Sequence, residues 1–144
     1  MKKIILFIFL TFNVIGFSYA QSMVTEISWV DVEQTSYQGL LVLYPNNQGY
    51  FKVKFYNPTV GWVWVVQNAE LRNNYDMYGN CTSYINCSYP QTSPYVPYSA
   101  DNFIIYPDGS MYTQDYYGKW STLIVARVIP QGYWRDKFIE YRIN

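Results

Sequence analysis

The stretch YFKVKFY at residues 50–56 decides the fold class of this chain. Phe51, Val53 and Phe55 alternate with Lys52 and Lys54, so the apolar side chains share one face of an extended segment and the lysines share the other. A period of two with one apolar face is typical of a half-buried β-strand. The segment therefore predicts a strand between a core and solvent.

The residues on either side of this strand predict two hairpin turns. Residues 45–49 and 57–61 are rich in Pro, Asn and Gly, which favour turns. The runs beyond these turns, 37–44 and 62–66, are apolar on both faces, and such runs are typical of strands covered on both sides. The sequence therefore predicts a three-stranded meander over residues 37–67.

The rest of the chain adds further strands. Ile27 belongs to a first strand, and the segments 103–106, 111–117 and 120–129 alternate again. Residues 133–144 fit a helix or a strand, and the preceding Pro-Gly turn favours a strand. About seven strands predict an all-β fold, either a single small antiparallel barrel or a sandwich, and periodicity does not distinguish these two architectures.

Residues 1–20 have the pattern of a secretory signal peptide. Lysines at positions 2 and 3 precede a long apolar run, and small residues occupy the positions that a signal peptidase reads before Gln21. We therefore expect one β-rich domain over residues 21–144, secreted or periplasmic, with no membrane span in the mature chain. The sequence leaves its oligomeric state open.

Residues 68–102 predict a long ordered loop. The region is rich in Asn, Ser, Tyr and Pro, and its three prolines between positions 90 and 97 are poorly suited to an interior strand or helix. In an exported chain, the closely spaced pair Cys81 and Cys87 predicts a disulfide bond. We therefore expect the bridge to pin this loop.

The composition limits the chemistry. The chain has 17 Tyr and 5 Trp but no His, which removes the commonest general base and a leading metal ligand. We expect no cofactor and no metal. Residues 21–144 carry 8 Lys+Arg against 10 Asp+Glu, a formal net charge of −2. Since no basic residues cluster in the sequence, we expect no nucleic-acid partner.

The aromatic residues are the best indication of function. Trp62 and Trp64 share one face of a strand and would form a platform for sugar rings if that face were open, although two Trp on a central strand are more often core. Tyrosines on a pinned loop offer stacking and hydrogen bonds. The leading hypothesis is a non-catalytic domain that binds a glycan or an extracellular protein. Its predicted site residues are Tyr84, Tyr89, Tyr95, Tyr98, Trp62 and Trp64.

Two other hypotheses stay open. A structural protein of the cell surface or matrix would self-associate through tyrosine-rich faces. A small hydrolase would use Asp31 and Glu33, since paired carboxylates hydrolyse sugars. A solvated strand edge explains those two carboxylates more simply.

Overall fold

The computed structural model describes residues 23–114, 120–121 and 124–143. The predicted signal peptide lies outside these residues. The described residues form nine strands, a short 3₁₀ segment and one α-helix. The elements are β1 (Met23–Val30), β2 (Ser36–Leu43), β3 (Gln48–Asn57), β4 (Gly61–Tyr75), β5 (Cys81–Ser93), β6 (Asn102–Ile105), β7 (Met111–Gln114), β8 (Trp120–Ser121), β9 (Ile124–Val128), the 3₁₀ segment Gln131–Tyr133 and α1 (Trp134–Glu140).

The strands form one antiparallel sheet in the order β8-β7-β6-β5-β4-β3-β2-β1-β9. Strands β1 to β7 each pair with the next strand in the sequence, and β9 returns to pair with β1. This return curls the sheet until β7 and β9 approach each other, so the barrel is nearly closed. The prediction of an all-β antiparallel fold is confirmed, and the architecture is barrel-like with nine described strands.

The face predicted from YFKVKFY is the inner face of the barrel. Phe51 and Val53 are fully buried, and Phe55 is nearly so, whereas the two lysines lie on the outer face. Trp29 lies beside Phe51 with ring centroids 5.9 Å apart and meets Phe103 edge-on at 5.3 Å. These large side chains fill the interior, and burial of their apolar surface stabilises the fold.

A second apolar cluster lies outside the barrel, under the C-terminal helix. Val24, Leu40 and Val42 are buried there with Ile129 and Tyr141. Strand β2 is therefore covered on both sides, by the inner core and by the helix. This explains why residues 37–44 are apolar on both faces.

The preference for a strand over residues 133–144 is wrong, because the segment contains α1. Trp134, Phe138 and Tyr141 recur at helical spacing and pack on the outer cluster. The indole Nε1–H of Trp134 donates to the carbonyl oxygen of Ile129 at 2.8 Å, which fixes the start of the helix. A helix is favoured over a strand here because its apolar side chains can cover the apolar outer face of β1 and β2.

The prediction of a long loop over residues 68–102 is also wrong. Strands β4 and β5 run through most of it and join in a tight turn. The Asp76 carboxylate accepts hydrogen bonds from the backbone N–H groups of Tyr78 and Asn80 at 2.8 and 2.9 Å, which closes that turn. Only residues 94–101 form an irregular connection.

Pro90 is accommodated inside β5 by a β-bulge. The β4–β5 register shifts between Val66 and Asn68, so that Tyr89 and Pro90 together face Gln67. Tyr89 has a positive φ of 53°. Because a bulged residue needs no ladder hydrogen bond, the missing N–H of proline is tolerated there.

The predicted disulfide is not formed. Cys81 and Cys87 are free and both lie on β5. Six residues of extended strand place their Cα atoms about 20 Å apart, whereas a disulfide requires less than about 7 Å. Burial raises the pKa of the Cys87 thiol, so this cysteine behaves as a core residue.

Candidate functional site

The outer face of β3 and β4 carries a group of aromatic and cationic side chains. Even-numbered residues of both strands point outward, and the register pairs Tyr56 with Trp62 and Lys54 with Trp64. The end of the chain, just after α1, adds a further cation to this surface. We call this surface the aromatic–cationic face; it comprises Lys52, Lys54, Tyr56, Trp62, Trp64 and Arg142.

Tyr56 and Trp62 form the open aromatic part of the face. Their ring centroids are 5.6 Å apart with an interplanar angle of 77°. Their side chains are 54% and 60% exposed, respectively, although large aromatics are usually more buried. A ligand can therefore reach both rings without rearrangement of the barrel.

Trp64 is surrounded by cations instead. The Arg142 guanidinium lies 4.7 Å from its ring centroid, and the ammonium groups of Lys52 and Lys54 lie at 5.4 and 5.8 Å. These distances are those of cation–π contacts. Trp64 therefore holds charged groups in place, and the flat Trp62–Trp64 platform anticipated from the sequence is replaced by a Tyr56–Trp62 pair beside three cations.

The cations of the face are only partly neutralised. Lys52 Nζ donates to the carbonyl oxygen of Arg142 at 2.7 Å, and Lys54 Nζ lies 3.8 Å from a carboxylate oxygen of Glu140. Burial, together with the positive charge of Arg142, lowers the pKa of Lys52. Among the described residues, Glu140 is the carboxylate beside these three cations, and this imbalance leaves a locally positive surface that favours an anionic ligand.

A polar cluster around Glu26 anchors the helix that precedes Arg142. The Glu26 carboxylate accepts hydrogen bonds from Tyr141 at 2.7 Å, from Arg127 at 2.7 Å and from Lys137 at 3.1 Å. Burial alone would raise the pKa of Glu26, but these hydrogen bonds outweigh it and the pKa is lowered. The charged form of Glu26 thereby holds α1 against β1 and β9.

The four predicted tyrosines are dispersed. Tyr89 and Tyr95 are 79% and 81% exposed, and Tyr84 lies half-buried on the outer face of β5. Tyr98 points inward and packs on the barrel core, 5.7 Å from the ring of Phe55. Among the described residues no ring contact joins any two of the four, so they do not form one binding surface.

Tyr98 takes part in a polar network beside the barrel core. Its hydroxyl donates to Asp101 Oδ2 at 2.8 Å, and Gln67 Nε2 donates to the same oxygen at 2.6 Å. The backbone N–H of Asp101 donates in turn to Gln67 Oε1 at 3.1 Å. Burial raises the pKa of Asp101 to about 6, and the two hydrogen bonds oppose that rise.

Asp31 holds the turn between β1 and β2. Its Oδ1 accepts the backbone N–H groups of Glu33 and Thr35, both at 2.9 Å, and its Oδ2 accepts the hydroxyl of Tyr37 at 3.0 Å. Three hydrogen bonds to one carboxylate are typical of a structural turn residue. Glu33 is exposed in the same turn.

Comparison with protein-family models, curated proteins and solved structures gives no match. The part of the chain that the structure describes contains no helix that could span a bilayer. The geometry of the aromatic–cationic face is therefore the basis for a functional proposal.

Proposed function

We propose that the protein is a non-catalytic recognition domain that binds an acidic glycan on its aromatic–cationic face. One observation carries the proposal: two largely exposed aromatic rings, Tyr56 and Trp62, lie next to three cations gathered around Trp64. The expectation that the chain is exported is compatible with such a ligand, because acidic polysaccharides are found outside cells.

The two parts of the face would recognise different parts of the ligand. The apolar face of a sugar ring stacks on Trp62, whose indole is both apolar and rigid. Carboxylate or sulfate groups on the neighbouring sugars pair with Lys52, Lys54 and Arg142, and Arg142 can engage two acceptor oxygens at once. Because Trp64 already positions these cations, less side-chain entropy is lost on binding.

Oligosaccharide binding tests the proposal. The purified protein is titrated calorimetrically with sulfated heparin fragments, with carboxylated polygalacturonate fragments and with neutral cello-oligosaccharides. We expect binding to the acidic sugars, weakened by added salt. Trp62→Ala should reduce affinity at least tenfold, by analogy with aromatic anchors elsewhere.

Tyr78→Ala is the matched control, because Tyr78 is 82% exposed on the β4–β5 turn, outside the aromatic–cationic face. It should leave affinity unchanged. Equal losses in both variants, or binding of neutral sugars alone, would contradict the proposal.

A second candidate function, self-association, is favoured by the β4–β5 turn. Tyr75, Met77 and Tyr78 are 70%, 87% and 82% exposed there. Neighbouring exposed large side chains of this kind are typical of interaction surfaces. Sedimentation velocity over a range of protein concentrations tests self-association. Oligomers that dissociate in the Met77→Ser and Tyr78→Ser variants would support it, and a monomer at every concentration would reject it.

A further inference from the structure

A cavity of about 580 Å³ lies at the seam of the barrel, between β1 and β9 on one side and β5 to β7 on the other. It is separate from the aromatic–cationic face, which is on the outside of β3 and β4. Its volume is within the range of roughly 300–1,000 Å³ that holds small-molecule ligands. Its walls are mainly aliphatic and include Ile27, Leu41, Ile85, Ile105, Met111 and Ile124.

Strand β9 borders the cavity on one side. The register pairs Ala126 with Ile27 and Val128 with Thr25, so both β9 side chains point to the inner side of the sheet. Both are nevertheless exposed, Val128 by 63%. Among the described strands β9 pairs only with β1, and we take its other edge, beside Ala126 and Val128, as the mouth of the cavity.

Thr25 places a buried hydroxyl group in this mainly apolar wall. Its side chain is 7% exposed and lines the cavity. Among the described residues, its Oγ1 is the buried side-chain oxygen or nitrogen that has no hydrogen-bond partner. Buried polar atoms are nearly always paired, so an unpaired hydroxyl facing a cavity points to a ligand that supplies the partner.

We infer that the seam cavity is a second binding site, for a small apolar molecule that carries one hydroxyl or carbonyl group. The aliphatic walls bind the hydrocarbon part by removing it from water. The Thr25 hydroxyl both donates and accepts, so it can pair with either polar group. The ligand enters through the gap beside Ala126.

Fluorescent-probe displacement tests the inference. The full chain is loaded with the apolar dye N-phenyl-1-naphthylamine, which is then displaced by 1-octanol or by n-octane. Thr25→Val keeps the side-chain shape but removes the hydroxyl. This substitution should weaken the binding of 1-octanol about three- to tenfold and leave the binding of n-octane unchanged. It should also raise the melting temperature, because it removes an unpaired polar atom.

Two further variants control the experiment. Ala126→Trp fills the mouth from an exposed position and should abolish dye binding without unfolding the protein. Thr59→Val, at an exposed residue of the β3–β4 turn, should change neither displacement nor melting temperature.

The inference is overturned if the native protein binds no dye, if Ala126→Trp binds it normally, or if Thr25→Val weakens both displacers equally. A further outcome is that the native protein dimerises in the absence of dye and that Ala126→Trp dissociates these dimers. That result would show that the mouth binds a second copy of the chain, and it would also overturn the inference. All of these outcomes are independent of glycan binding.

Discussion

Neutralising Asp101 should stabilise the protein at neutral pH. The pKa of this carboxyl is about 6 in the folded protein, against 3.8 in the unfolded chain. A difference of one pH unit is equivalent to about 1.36 kcal/mol, so keeping Asp101 ionised in the folded state costs about 3 kcal/mol. The substitution Asp101→Asn removes that cost.

The sign of the pH dependence follows from proton binding. Between pH 3.8 and about 6 the folded state binds more protons at Asp101 than the unfolded state does. The contribution of this group to the free energy of unfolding therefore falls as the pH rises through that window. An asparagine side chain does not titrate, so the variant should lose this part of the pH dependence.

The hydrogen bonds of Asp101 should survive the substitution. Tyr98 and Gln67 both donate to Oδ2, and the amide oxygen of asparagine can occupy that position. The pKa of about 6 already includes the effect of these hydrogen bonds on the carboxylate, so the cost of about 3 kcal/mol is a net value and an upper bound on the gain. We therefore expect Asp101→Asn to gain about 1–3 kcal/mol above pH 7 and little at pH 4.

Urea unfolding of the native protein and the variant at several pH values measures these quantities. Glu33→Gln is the charge-matched control, because Glu33 is exposed in the β1–β2 turn. It should shift stability by less than about 0.5 kcal/mol at any pH. A variant that is less stable than the native protein at pH 8, or that keeps its pH dependence between 4 and 6, would refute the reasoning.

Three further substitutions test other parts of the structure. Gly39→Ala places a methyl carbon 2.5 Å from the Phe51 ring, and chemical denaturation should show a loss of about 1–3 kcal/mol; unchanged stability would contradict the packing. Glu26→Gln weakens the cluster that holds α1, so hydrogen exchange of the helix should accelerate, consistent with a loss of about 1–3 kcal/mol; unchanged helix protection would disagree. Cys81→Ser should leave the melting temperature unchanged with and without reductant, because the cysteine is free. A large drop in the melting temperature of the variant only under oxidising conditions would show that the native protein contains the disulfide.

The strands of the meander could be predicted because each has a local signal. The alternation of Phe51, Val53 and Phe55 with two lysines fixes which side faces the core, and the Pro-Asn-Gly clusters fix the turns. Barrel closure could not be predicted, since it depends on β9 pairing with β1, whose paired residues are about a hundred positions apart. Periodicity records burial and contains no information on such pairings.

The loop prediction for residues 68–102 is wrong because it was based on amino-acid composition, which does not show how two strands pair. Asn, Ser and Pro indicate loops, yet β4 and β5 pair through this region, and a bulge at Tyr89 accommodates Pro90. The disulfide prediction was based on the close spacing of Cys81 and Cys87 in an exported chain, and it is wrong because both cysteines lie on one extended strand.

The candidate site could be predicted in part. Trp62 and Trp64 were identified from their spacing, and the lysines that accompany them were visible in YFKVKFY. Arg142 could not be assigned, because only the packing of α1 on the barrel brings it to the ring of Trp64. Tyr56 was visible only as the end of a strand, and its pairing with Trp62 follows from the β3–β4 register.

The indole N–H signals of the tryptophans provide the most direct test of glycan recognition on the outside of β3 and β4. Two-dimensional ¹H–¹⁵N spectra are recorded while heparin or polygalacturonate fragments are added. The account predicts shifts at Trp62 and Trp64, with the buried Trp29 unchanged. Unchanged Trp62 and Trp64 signals at saturating sugar, or shifts confined to Trp29, would contradict it.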